Sequence, residues 1–136
     1  MRPHKFTLGI VFIMACGTTT GPRAGDEFQL KVGESFMLDD AGARVVFRGV
    51  SSDSRCPSQV MCVWAGDAAV LIEVAPLHDV LQALSKVDTL HTNLDPKSLS
   101  LGSIELLLAQ LDPYPETPGS IPADSYVATF KIQPLQ

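Results

Sequence analysis

Tyr126, Ala128, Phe130 and Ile132 alternate with Val127, Thr129, Lys131 and Gln133, a period of two that fits a half-buried β-strand and no helix. Shorter stretches repeat the pattern. Phe28, Leu30 and Val32 alternate with Gln29 and Lys31, and Ser35-Phe-Met-Leu38 follows Gly33-Glu34, which predicts two short strands. Asp39-Asp40-Ala41-Gly42 reads as a turn, since paired carboxylates before a glycine form turns far more often than they bind metal or move protons. Residues 43–50 place Val45 and Phe47 on one face and Arg44 and Arg48 on the other. Residues 68–75 are apolar on both faces, as a central strand requires. Further strands are expected at 87–92 and at 103–111, the second bounded by Gly102 and Pro113.

Pro113, Pro115, Pro118 and Pro122, with Gly119, end regular structure after residue 112, and a cis bond at Tyr114-Pro115 would fold this segment tightly back. Residues 76–86 stay open. Leu77, Val80, Leu81 and Leu84 have helical spacing behind Pro76, but a strand extension or a loop fits as well. With 136 residues and 46% hydrophobic content, the chain can bury one core. The expectation is one all-β domain over residues 28–136, a small antiparallel sandwich or barrel of six or seven strands with at most one short helix.

Arg2, His4 and Lys5 precede a largely apolar run at residues 6–15, the layout of an export signal. That run is too short to span a bilayer as a helix, which needs about 20 residues. Ile13 departs from the small residue that ordinary signal cleavage prefers. Ile13-Met14-Ala15-Cys16 instead resembles the bacterial lipobox. The resemblance implies that residues 1–15 are removed and that Cys16 becomes a lipid-bearing first residue, with acyl chains such as palmitate holding the protein at a membrane. Residues 16–27, rich in Gly and Thr, then read as a tether; ten such residues reach at most about 35 Å. With Cys16 assigned to lipid, Cys56 and Cys62 are left to form one disulfide in an oxidising compartment.

The expected location is the bacterial cell envelope, facing the periplasm or the exterior. If two membranes are present, Gly17 after the lipid cysteine points to the outer one, by analogy with lipoprotein sorting. Loss of Arg2 and Lys5 with the leader takes the 10 basic residues to 8 against 15 acidic ones, a balance of −7. An acidic surface with scattered basic residues repels phosphate backbones, so nucleic acid is not an expected partner.

The stretch Asp53-Ser-Arg-Cys-Pro-Ser-Gln-Val-Met-Cys-Val-Trp-Ala-Gly66 contains both later cysteines and the only Trp. A bond between Cys56 and Cys62 closes a small ring worth about 2 kcal/mol. It is too local to bridge two sheets as in an antibody domain. Arg55 and Trp64 flank it; Trp64 could stack on the disulfide or on Arg55, and Asp53 or Asp67 could pair with the guanidinium. Asp53, Arg55, Trp64 and Asp67 are therefore the candidate binding residues. Two readings compete: a structural plug over one end of the sandwich, or a loop preorganised for contact. Asp53-Ser-Arg-Cys-Pro57 and Cys62-Val-Trp-Ala-Gly66 resemble the signature of a family of uncharacterised bacterial exported proteins, many of them lipid-anchored. Asp112-Pro-Tyr-Pro115 and Asp124-Ser-Tyr126 are similar to a later pair of its motifs. The resemblance implies a loop and a fold, and carries no activity with it.

No phosphate loop, dinucleotide fingerprint, His-Glu-x-x-His helix or Gly-x-Ser-x-Gly elbow occurs in the sequence. His78 and His91 lack the short spacing of zinc ligands. Cys56, Met61 and Cys62 would suit a soft metal only as thiolates, and an oxidising compartment pairs them, leaving Met61 to packing. Five intervening residues also depart from the two usual in redox-active pairs. No metal, cofactor or enzymatic activity is expected. The chain reads as a lipid-anchored extracytoplasmic β-domain with a non-catalytic binding or envelope-structural role. Its partners would be the membrane, through the anchor, and a protein. The alternative is a surface inhibitor of a hydrolase acting through loop 53–66, with Arg55 and Trp64 at its centre.

Overall fold

A computed structural model of the chain describes residues 25–78 and 84–135. The signal segment, Cys16, most of the tether and the middle of the 76–86 segment lie outside the described residues. Eight strands form in chain order: β1 (Glu27–Lys31), β2 (Ser35–Leu38), β3 (Ala43–Asp53), β4 (Ala68–Pro76), β5 (Lys86–His91), β6 (Ser98–Leu101), β7 (Ile104–Asp112) and β8 (Val127–Pro134). They make two antiparallel four-stranded sheets, in the orders β1-β8-β7-β6 and β2-β3-β4-β5. The molecule is therefore a sandwich and not a closed barrel, and β6 raises the expected strand count to eight. Among the described residues no helix is long and apolar enough to cross a membrane.

The alternation read from the sequence is what fills the core. Ala128, Phe130 and Ile132 of β8 face inward against Val45 and Phe47 of β3 and Val70 and Ile72 of β4, and all of these are buried. Strand β4 lies between β3 and β5, so its two apolar faces fit its central place. In β7 the register shifts between Leu108 and Gln110. A bulge of this kind reverses the side-chain parity, and so Leu111, not Gln110, enters the core. Residues Asp39–Ala41 form a short 3-10 turn closed by Gly42, whose left-handed φ of 58° favours glycine. Among the described residues the cis peptide bonds lie at Asp95-Pro96 and Asp112-Pro113, so the sequence-based expectation of a cis bond at Tyr114-Pro115 is corrected.

The two ends of the sandwich differ. At one end the chain enters β1, where Gly25 N–H donates to Ile132 O, and the connections after β2, β4 and β6 lie nearby. At the other end β3, β5 and β7 finish and β4 and β8 begin. This second end carries the cysteine loop.

Candidate functional site

The loop continues the β3–β4 ladder outward before it opens. Ser54 N–H and Oγ–H both donate to Asp67 O, at 2.7 and 3.0 Å, and Cys56 N–H donates to Ala65 O at 2.8 Å. Gly66 permits this close pairing. Its φ is 69°, and a Cβ there would stand 1.8 Å from Ser54 O, so no other residue fits without moving the backbone. Cys56 and Cys62 form the disulfide, with a Cα–Cα separation of 5.9 Å. Ser58 and Gln59 N–H donate to Pro115 O and Glu116 O, tying the loop to the proline-rich segment.

Arg55, just before the ring in the chain, is only 5% exposed. Its Nε and one terminal nitrogen form a fork on Asp53, with Nε–Oδ1 at 2.9 Å and Nη2–Oδ2 at 2.7 Å. The remaining donors reach Leu111 O at 2.6 Å and Pro113 O at 2.9 Å. The planar guanidinium thus joins the end of β3 to the end of β7, across the two sheets. Tyr114 covers it, with the Arg55 Cζ 5.2 Å from the ring centroid. Tyr126 Oη–H donates to Asp53 Oδ2 at 3.0 Å. Burial alone would raise the Asp53 pKa, but the hydrogen bonds and charge of Arg55, with the Tyr126 hydroxyl, hold it below its ordinary value. Burial and the adjacent Asp53 carboxylate raise that of Tyr126.

Asp67 takes a different part. Its carboxylate accepts from Asn93 N–H, Leu94 N–H and the Thr92 hydroxyl, and lies 2.6 Å from His91 Nδ1. Burial opposes the charge, yet these donors bring its pKa down to about 2. With Asp67 ionised, the hydrogen of the short contact sits on His91 Nδ1. Asn93 Nδ2–H donates to Gly66 O at 2.6 Å, so the turn after β5 is clamped to the loop.

Of the four candidate binding residues, Asp53, Arg55 and Asp67 are therefore consumed in holding the loop. Asp53, not Asp67, pairs with Arg55, and the ring over the guanidinium is that of Tyr114, not Trp64. Trp64 is 81% exposed, beside Val63 at 87% and Met61 at 101%. Met61 is not a packing residue. Tyr114 is half exposed as well. From Cys56 to Gly66 no residue carries a charge, a signal for this apolar tip that the sequence already held. At the base of the loop opens a cavity of about 270 Å³, lined among others by Ala65, Asn93, Gln110 and Tyr114. Among the described residues no group of three or more His, Cys, Asp or Glu side chains could hold a metal ion. Comparison of the chain with family models, with curated proteins and with solved structures finds no match.

Proposed function

We propose that this chain is a lipid-anchored extracytoplasmic β-domain with a non-catalytic binding role, exercised by the tip of the cysteine loop. The supporting observation is the division within that loop between a buried polar base and an exposed apolar tip. The base uses Arg55, Asp53, Asp67 and Gly66, and it fixes the backbone so that little entropy is lost when the tip is covered. The tip leaves Trp64 and Met61 in water, an arrangement that favours association, because large apolar side chains gain most when desolvated in a well-packed contact.

A surface inhibitor of a hydrolase remains a second reading, favoured by a small projecting loop braced by a disulfide. In it Trp64 and Met61 would enter the cleft, and the buried Arg55 would not. Two experiments test the primary reading. Radioactive palmitate should label the wild type and not Cys16→Ala. A photo-crosslinking residue at position 61 in intact cells should give a discrete adduct, whereas the same residue at Met37, exposed on β2, should give none. Equal crosslinking at both sites would remove the proposal.

A further inference from the structure

We infer that the occupant of the tip is a protein surface that offers an apolar pocket with a basic rim, reached at the end of the domain away from its own anchor. This rests on the binding role proposed above and specifies the partner. The first ground is charge. The tip is neutral from Cys56 to Gly66, and the other loops at this end expose Asp95, Glu116 and Asp124, with Asp112 half-buried at the end of β7. Arg55 is neutralised by Asp53, and Lys97 is the one other cation in these loops. A neutral apolar knob inside an acidic collar is complementary to an apolar pocket ringed by Lys and Arg.

The second ground is position. The chain enters β1 at the level of Ile132, and the loop lies beyond the level of Val127, so the part of β8 from Val127 to Ile132 separates them, about 17 Å at the rise of a strand. An anchor at Cys16 therefore joins the domain at the end opposite the tip. The third ground is shape. At the root of the exposed tip, next to Ala65, opens a concavity of about 270 Å³, room for one partner side chain against Tyr114. A structured protein can supply both a pocket and a side chain, whereas a bilayer supplies neither. The acidic collar also disfavours anionic headgroups and, by like charge, a second copy of this chain.

The test uses the full chain immobilised through its N-terminal end. A display library of one small folded scaffold with a randomised surface cleft is first depleted on the Trp64→Ala chain and then selected on the wild type. Selected clefts should combine aromatic or aliphatic residues with Lys or Arg. Their affinity should fall about tenfold or more for Trp64→Ala or Met61→Ser, as for a central contact residue. It should fall less for Asp95→Asn with Glu116→Gln, a loss that high salt erases. Acidic or uncharged clefts would overturn the inference. So would Trp64-dependent capture of phosphatidylcholine vesicles, with or without phosphatidylglycerol, or of a second copy of the chain. Those outcomes would leave the tip a binding site with a different occupant. No Trp64-dependent binding to any of these probes would overturn the binding role as well.

Discussion

Arg55→Met removes the guanidinium while keeping an unbranched side chain of similar reach. In the wild type the Arg55 side chain is 3% exposed and that of Asp53 12%. The substitution leaves Asp53 with only the Arg55 backbone N–H, at 3.1 Å, and the Tyr126 hydroxyl. It also strips Leu111 O and Pro113 O of their side-chain donors. Breaking a buried ion pair from one side costs about 3–5 kcal/mol. A buried carbonyl left without a donor costs about 1–3 kcal/mol more where water cannot reach it. The contributions overlap in one network and do not add fully, so the expected loss is about 4 kcal/mol.

That is a large part of the roughly 5–15 kcal/mol by which a domain is stable, and it would lower Tm by roughly 10–20 °C. Arg55→Lys keeps the charge, but a single ammonium cannot serve both Asp53 oxygens and two carbonyls, and about 2 kcal/mol should be lost. Urea titration of the oxidised proteins gives both numbers, with an unchanged slope as the check that the transition is comparable. A loss below about 1 kcal/mol for Arg55→Met, or none for Arg55→Lys, would refute the claim that this side chain holds the two sheets together at this end.

Gly66→Ala forces a Cβ into Ser54 O at a left-handed φ, and should cost about 2–4 kcal/mol in the same titration. Cys56→Ser with Cys62→Ser should cost about 2 kcal/mol, the entropy of the small ring, and should leave the β-sheet circular dichroism unchanged. Asp67 titrates below its ordinary value, so its contribution to stability is fully present above about pH 4 and is lost as pH falls through about 2. Asp67→Asn should cost about 1–2 kcal/mol at neutral pH and flatten the acid limb between those values. An unaltered acid limb would count against that role.

Most strands were legible because they rest on local patterns, alternation in most and short apolar runs between turn residues in β4 and β7. The run from Tyr126 to Gln133 shows on its own which side faces the core, and so does the pairing of Val45 and Phe47 against Arg44 and Arg48. β6 was not legible, because Ser98-Leu-Ser-Leu101 is only four residues long and half of them are serine. The bulge in β7 was hidden too, since it is set by pairing with β8 and not by residues 104–112 alone. In the loop, the sequence identified Arg55 but not its fate. Its carbonyl partners lie 56 and 58 residues away, on a segment whose approach is decided by the whole sandwich. Separations of 24 to 27 residues likewise concealed that Asp67 serves the turn after β5. Exposure of the tip was partly visible in the absence of charge from Cys56 to Gly66. Neutral apolar residues in a loop fit a plug as well as a contact surface, and only the exposure of Met61, Val63 and Trp64 in the folded chain separates the two.

The central claim is that the base of this loop maintains the fold while its tip makes contact. Trp64→Ala tests it most directly when urea stability and crosslinking from position 61 are measured on the same protein. The expected result is a stability within about 0.5 kcal/mol of wild type, as for an exposed side chain, together with loss of the adduct. A protein destabilised by more than about 2 kcal/mol, or one equally stable whose adduct persists, would contradict it.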